Sequence, residues 1–172
     1  MSTSDDALAA LKTITRTECP NICRLYIAAG HNFVGYHGMP PGLNPIVEVV
    51  EIDCVAGRGL RGDRFFDFKD NYKGQITFFA LETCEAISQA LGVRDRPSSV
   101  FRRNVITAGV VLNDLVGHEF QIQGVRFFGT EECRPCYWMD QAFAPGAADF
   151  LRGQGGLRAF ILSDGILRTN VP

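Results

Sequence analysis

The stretch Glu119-Phe-Gln-Ile-Gln-Gly-Val-Arg-Phe-Phe-Gly129 decides the fold class of this chain. Its apolar and polar residues alternate, which is the two-residue period of a half-buried β-strand. Gln123-Gly124 interrupts the alternation at its centre and predicts a tight hairpin turn there. A second apolar run, Ala159–Arg168, carries Asp164-Gly165 at its tip and predicts another hairpin of the same kind.

The sequence on the N-terminal side of this hairpin predicts further strands and one clear helix. Strands are predicted over residues 24–28, 46–52 and 75–79, the second of them from its content of β-branched residues. Leucine, cysteine and isoleucine recur at helical spacing over Leu81–Leu91, and Gly92 is a typical C-terminal stop.

These elements together predict a β-dominated α+β domain that spans residues 1–172. Short strands joined by hairpins favour a β-barrel or curled sheet over alternating βαβ units, with a few short helices at the periphery. Ser4 and the acidic pair that follows it predict an N-capped helix up to Leu11. We interpret residues 1–20 as a peripheral extension.

The composition of the chain excludes several classes of function. A net charge of −2 gives no basic excess for nucleic acid, and no apolar run is long enough to span a membrane. The polar, acidic start of the sequence has no secretory-signal pattern, so we expect a cytoplasmic protein. The lysines are Lys12, Lys69 and Lys73, and none lies in a motif for a pyridoxal-phosphate Schiff base, so that cofactor is not expected.

The strongest chemical motif follows the first hairpin directly, in Cys133-Arg134-Pro135-Cys136. Pro135 restricts Arg134 and removes one backbone N–H, so this segment is a stiff loop. A nearby cation favours a thiolate, the reactive form of cysteine. The spacing alone is compatible with a reactive cysteine, and also with two structural thiols, a disulfide or half of a zinc site.

A second segment rich in glycine and arginine, Gly57–Arg64, lies earlier in the chain. Its glycines allow a ligand to approach the backbone closely, and its arginines can bind an anion. The segment is neither a Walker loop nor a dinucleotide fingerprint, so no nucleotide site is predicted from it. A solvated turn remains the alternative.

The order of these motifs resembles the MOSC domain, which forms the C-terminal part of molybdenum cofactor sulfurases and also occurs as separate bacterial proteins. The matching stretches lie between Val47 and Arg168: Gly59–Arg64, Arg102–Val105, Leu112–Phe120, Gly129–Cys136, Gly155–Ala159 and Gly165. Two features depart from the family pattern. Thr169-Asn170 stands where Gly-Asp is usual, and the chain contains no aminotransferase-like sulfurase domain.

The resemblance implies a β-barrel-like fold with a pocket that carries a reactive cysteine. In the family this cysteine holds sulfur as a persulfide or ligates the molybdenum of a pterin cofactor. The family motif assigns this role to Cys136, the molybdenum ligand if that metal is bound, with Cys133 as second choice. The resemblance further implies that a cofactor phosphate, a pterin or another small anion is bound by Arg61, Arg64, Arg102, Arg103 and Arg158, and that Asn104 orients the ligand.

Three alternatives to a reactive cysteine remain open at this point. A structural zinc site would combine the Cys133/Cys136 pair with the Cys19/Cys23 pair. A thiol–disulfide oxidoreductase would use Cys133 and Cys136, although the βαβ setting usual for such a pair is absent. A binding module would hold a small anion or pterin without catalysis. If the chain carries sulfur, we expect a cysteine desulfurase as the partner that donates it.

Overall fold

We describe residues 20–34 and 38–170 in a computed structural model of the chain. The helix predicted over residues 4–11 lies outside this range, as does the rest of the 1–20 extension except Pro20. Within the described range, every helix is too short or too polar to cross a membrane.

Short strands make up most of the regular structure in the described ranges. The strands are β1 (Asn21–Ile27), β2 (Val47–Val49), β3 (Glu51–Val55), β4 (Gly59–Leu60), β5 (Ile76–Ala80), β6 (Val105–Ala108), β7 (Glu119–Ile122), β8 (Val125–Glu132), β9 (Leu157–Ile161) and β10 (Gly165–Arg168). The helices are α1 (Leu81–Leu91), α2 (Trp138–Ala142) and α3 (Ala147–Phe150). Two 3₁₀ turns, Ser98–Phe101 and Leu112–Leu115, flank β6.

The strands form two sheets rather than the barrel expected from the sequence. In the described part of the chain, the larger sheet has seven strands in the order β2-β1-β6-β5-β9-β8-β7, and only the β5–β6 pair is parallel. The smaller sheet has the order β10-β3-β4. Because β2 and β7 are the two edges of the larger sheet and do not pair with each other, the described strands do not close into a barrel. The prediction of a β-dominated chain with few helices is confirmed.

The larger sheet carries a separate core on each face. Neighbouring residues of a strand point to opposite faces, so Phe78 belongs to one core and Phe79 to the other. The first core joins the larger sheet to the smaller one through Ile52 and Leu167. The second core packs α1, α2 and α3 against the opposite face. Residues 20–34 and 38–170 therefore form three layers.

Two local predictions are confirmed. Gln123 and Gly124 both have positive φ, 50° and 83°, which is the requirement of the tight turn that joins β7 to β8. Helix α1 has the predicted bounds, buries Cys84 and Ile87, and ends at Gly92 with a φ of 65°.

The hairpin predicted at Asp164-Gly165 is wrong, because β9 and β10 belong to different sheets. Gly165 is not among the residues with positive φ, so the turn that its sequence suggests does not form. The Asp164 carboxylate instead accepts a hydrogen bond from the N–H of Ala56 at 2.7 Å. A side chain at residue 165 would lie 2.6 Å from Val125, so glycine is needed at this position for close packing.

The prediction of a single strand over residues 46–52 is also wrong, because the structure has two strands there, β2 and β3. The chain bends at Val50, which is 75% exposed, and passes from the edge of the larger sheet into the smaller one. Apolar content alone cannot locate such a bend, because both halves retain β-branched residues.

Candidate functional site

A cavity of about 220 Å³ contains most of the residues that the sequence singles out. Segments that are distant in sequence form its wall: the loop after β1, the loop between β4 and β5, β5 itself, the segment before β6, the cysteine loop with the start of α2, and β9. The lining residues are His31, Asn32, Phe33, Arg64, Phe65, Tyr72, Thr77, Arg102, Arg103, Cys133, Arg134, Pro135, Cys136, Trp138, Met139 and Arg158. Among these described residues, five side chains are guanidinium groups and none is a carboxylate.

The two cysteines of the loop between β8 and α2 differ in accessibility. Cys133 is buried, and its N–H donates to the carbonyl oxygen of Gly156 at 2.8 Å. Cys136 is exposed, and its carbonyl oxygen accepts from the N–H of Met139 at 2.9 Å, where α2 begins. Of the two thiols, Cys136 is therefore the one that a large partner molecule can reach.

Arg103 holds the cysteine loop in place through its three guanidinium nitrogens. They donate to the carbonyl oxygens of Phe101 at 2.7 Å, Gly155 at 3.0 Å and Cys133 at 3.4 Å. Since these bonds use donors on every nitrogen, the geometry gives Arg103 a positioning role beside its place in the cavity wall.

Arg102 differs from Arg103 in having a buried guanidinium nitrogen that makes no hydrogen bond in the described structure. Its Nη2 donates to the carbonyl oxygen of Gly30 at 3.1 Å, but its buried Nη1 has no hydrogen-bond partner in the described structure. Burial and the neighbouring Arg64 lower the pKa of Arg102 to about 10. Its backbone has a φ of 56°, which is uncommon for a residue other than glycine. A buried donor without an acceptor is costly, and an anion bound against Nη1 would supply the missing acceptor.

Arg64 is held by a carboxylate that lies behind the cavity wall. Its Nη1 is 3.3 Å from Oδ2 of Asp63, whose side chain is 1% exposed. The Asp63 carboxylate also accepts from the N–H groups of Ala28 at 3.1 Å and Phe65 at 3.2 Å. Burial lowers the pKa of Arg64, and the charge of Asp63 opposes this effect. Asp63 thus fixes the position of Arg64 without itself lining the cavity.

Asn104 is not among the lining residues, because its amide is used inside the fold. Its Nδ2 donates to the Tyr26 carbonyl at 3.2 Å and to Asp63 at 3.3 Å. Its Oδ1 accepts from both the N–H and the hydroxyl of Thr77, at 3.0 and 2.9 Å. The structure therefore connects Asn104 to the cavity through two neighbours: Thr77, which lines the cavity, and Asp63, which holds Arg64.

Arg61 lies outside the cavity. Its side chain is 59% exposed, pairs with Asp53 at 3.7 Å, and borders a separate depression next to Glu51 and Ile52. Arg158 does line the cavity, and its Nη1 pairs with Glu131 at 3.0 Å. Of the arginines assigned to the site from the sequence, the structure brings together Arg64, Arg102, Arg103 and Arg158.

Sequence reasoning missed most of the aromatic part of the wall. Phe33 and Trp138 have ring centroids 5.1 Å apart, and the rings of Phe65 and Tyr72 stack at 4.9 Å. These residues come from three segments with no common motif: the loop after β1, the loop between β4 and β5, and the start of α2. Only the position of Trp138 beside the cysteine motif gave a local signal.

A larger cavity of about 450 Å³ lies near the start of α1, between Ala80, Thr83 and the segment Gly109–Asn113. Its described lining residues include Glu82 but no cysteine, histidine, arginine or lysine. The smaller cavity is therefore the better candidate for the functional site.

The structure does not favour the zinc site formed from two cysteine pairs. Cys19 lies outside the described residues. The pKa of Cys23 is raised by burial and by Glu82 and Glu85 of α1, which places Cys23 beside that helix and not in the wall that holds Cys133 and Cys136. No group of three or more histidine, cysteine, aspartate or glutamate side chains within residues 20–34 and 38–170 is arranged to hold a metal ion.

Comparison with known proteins supports the resemblance seen in the sequence. The family model for the MOSC domain matches residues 62–167. The crystal structure of the YuaD protein from Bacillus subtilis superposes with a TM-score of 0.68 at 19% identity, over 88% of this chain and 92% of that one. YiiM from Geobacillus stearothermophilus gives 0.63 at 12% identity over 89% and 73% of the two chains. YiiM from Escherichia coli gives 0.59 at 16% identity over 87% and 67%. No curated protein matches the sequence significantly.

Proposed function

Because the chain belongs to the MOSC domain family, we propose that it is a sulfur carrier that holds sulfane sulfur on Cys136. One observation carries this proposal: an exposed thiol lies on a cavity whose described lining has five guanidinium groups and no carboxylate. Thiolates and persulfides are anions, and neighbouring cations stabilise both. The buried, unpartnered Nη1 of Arg102 further supports an anionic occupant.

The transfer takes place as a thiol exchange with a persulfide donor. The thiolate of Cys136 attacks the outer sulfur of a donor R–S–SH, and the sulfur–sulfur bond of the donor breaks. R–S⁻ leaves and takes up a proton, so Cys136 carries a persulfide and the donor becomes a thiol. A second thiolate reverses these steps and receives the sulfur. No oxidant or reductant is consumed.

The donor in this proposal is the persulfide of a separate protein, a cysteine desulfurase. The exposure of Cys136 supports a macromolecular donor, because a persulfide on another protein cannot reach a buried thiol. The buried Cys133 is the less suitable acceptor for the same reason.

The second candidate is a molybdenum-containing pterin cofactor, which would supply redox chemistry when bound. The residues present fit its chemical parts: Arg64 and Arg102 suit a phosphate, the paired aromatic rings suit a flat heterocycle, and the Cys136 thiolate is a soft metal ligand. In this role Asp63 keeps Arg64 in place, and Arg103 keeps the cysteine loop in place. A cavity of about 220 Å³ encloses only part of such a molecule, which is why we place the sulfur carrier first.

The test compares intact mass and metal content across cysteine variants. The purified chain is incubated with a cysteine desulfurase and free cysteine, and its mass is measured before and after reduction. We expect the wild type and Cys84→Ser to gain one reducible sulfur and Cys136→Ser to gain none. Cys84 is the matched control because it is buried in α1 and its pKa is raised to about 12.

Each result assigns a different role. If the Cys136→Ser protein still gains sulfur and the Cys133→Ser protein does not, the sulfur is carried on Cys133. Absence of sulfur from the wild type would overturn the carrier. Molybdenum near one atom per chain in protein from a cofactor-producing host, lost in Cys136→Ser, would establish the second candidate instead.

A further inference from the structure

His31 lies in the cavity wall, on a loop that its neighbours hold firmly. The side chain of Asn32 makes two hydrogen bonds to the backbone of Asn44, at 2.7 and 2.8 Å. The side-chain amide of Asn44 donates a hydrogen bond to the carbonyl oxygen of His31 at 3.1 Å. A side chain on Gly30 would overlap the Asn44 amide, so only glycine at this position allows the contact. The backbone on both sides of His31 is therefore fixed.

The imidazole ring is also framed by aromatic side chains. It meets the ring of Phe65 edge to face, with centroids 4.9 Å apart, and that of Phe68 at 5.9 Å. Phe65 lines the same cavity. The ring is thus held beside the space that a ligand would occupy.

The charges that face His31 are mainly positive. Burial lowers its pKa most, the charges of Arg64 and Arg102 lower it further, and Asp63 opposes them. The other ionisable groups on the cavity wall are Arg103, Arg134, Arg158, Cys133, Cys136 and Tyr72. Without an anion beside it, His31 is therefore neutral near pH 7.

An anion in the cavity changes this balance. Its charge offsets those of Arg64 and Arg102, so the cost of a protonated imidazole beside them falls. The arginines are already protonated and cannot respond to this change. Burial raises the pKa of the Tyr72 phenol, which keeps that group neutral at the same pH.

We propose that His31 binds the anionic ligand of this cavity by taking up one proton as the ligand enters and then donating a hydrogen bond to it. The ligand class that gains most is a doubly charged oxyanion, of which sulfate and the sulfane-sulfur anion thiosulfate are examples. This inference rests on the anion-binding cavity of the proposed function, and it adds a residue and a ligand charge to that cavity.

The test is the pH dependence of sulfate binding, since sulfate keeps its double charge across the range. Affinity is measured by calorimetry from about pH 5.5 to about pH 8.5, in buffers of differing ionisation enthalpy that report proton uptake. For the wild type we expect affinity to rise as the pH falls through the raised pKa of the bound state, by up to about tenfold per pH unit. His31→Gln is expected to lose both the slope and the proton uptake.

The matched control is His118→Gln, because His118 is exposed next to Gly117 and does not line the cavity. It is expected to keep the wild-type slope. His37→Gln is made as well, because His37 lies outside the described residues. A slope that survives in His31→Gln, or that disappears in His37→Gln or His118→Gln, would overturn the role of His31. Absence of sulfate binding by the wild type at every pH would instead overturn the anion cavity itself.

Discussion

The backbone of Gly155 lies directly against that of Cys133, and a Cβ atom at residue 155 would overlap the Cys133 carbonyl oxygen. Arg103 joins the same two residues, because its guanidinium donates to both of their carbonyl oxygens. The start of the cysteine loop is therefore held between Gly155, which has no side chain to push it away, and Arg103, whose three guanidinium nitrogens all donate hydrogen bonds.

The first prediction concerns this close approach. Gly155→Ala should push the cysteine loop out of place, destabilise the fold by about 1–3 kcal/mol and slow alkylation of Cys136 or remove its selectivity. Urea unfolding and the rate of iodoacetamide labelling measure the two effects. Gly153→Ala is the control: its φ of 77° makes alanine unfavourable there too, but no atom lies within 4 Å of its Cβ. A normal labelling rate in Gly155→Ala would show that the contact does not position the loop.

A second prediction follows from the unpartnered nitrogen of Arg102. Arg102→Gln should weaken sulfate binding by about tenfold or more, because a hydrogen bond from a charged donor is lost. The melting temperature should not fall, since the substitution removes a buried cation that faces Arg64. Calorimetric titration and thermal unfolding test these two statements. Arg152→Gln serves as the control, because this side chain is 78% exposed and lies away from the cavity wall. Unchanged affinity in Arg102→Gln would mean that the anion binds elsewhere.

The third prediction separates a buried ion pair from an exposed one. Asp63→Asn should lower the free energy of unfolding by about 3–5 kcal/mol, because it leaves the charge of Arg64 uncompensated in the interior. Asp53→Asn breaks the exposed pair with Arg61 and should change stability by less than about 1 kcal/mol. Both values come from urea unfolding at neutral pH. Equal effects from the two substitutions would contradict the structural role of Asp63.

The fourth prediction concerns stability at alkaline pH. Burial raises the pKa of Cys54 and Cys84 from 9.0 to about 12 in the folded chain. Between these values the unfolded chain has lost the proton and the folded chain still holds it, so stability falls as the pH rises. Each thiol contributes a slope of up to about 1.4 kcal/mol per pH unit in this window.

Urea unfolding at about pH 7.5 and about pH 10.5 measures that loss of stability. In Cys54→Ala and Cys84→Ala the difference between the two pH values should be smaller than in the wild type, whatever each substitution costs at pH 7.5. A wild-type difference that both variants reproduce in full would rule out the buried thiols as its cause.

Local sequence was sufficient for elements whose stability comes from near neighbours. The turn at Gln123-Gly124 needs only positive φ at two successive residues, and α1 needs only its apolar spacing and Gly92. Asp164-Gly165 has a similar turn sequence, but the strands on either side of it, β9 and β10, belong to different sheets because β10 pairs with β3. A local pattern does not say which distant strand will be the partner.

The positions of the arginines also depend on tertiary structure rather than on local sequence. Arg61 and Arg64 lie three residues apart in one glycine-rich segment, yet Arg61 faces Asp53 at the surface and Arg64 enters the cavity. Gly62 turns the chain between them with a φ of 86°. The ordered motifs identified the family and the cysteine loop without a structure.

By itself, then, the sequence determined the β-rich class, helix α1, the first hairpin and the cysteine motif, because these depend on local periodicity and residue type. Only the tertiary structure decided that the sheets stay open, that Cys136 is exposed while Cys133 is buried, and that Arg64, Arg102 and His31 share one cavity. Burial and charge proximity arise between residues far apart in the chain, and no local pattern records them.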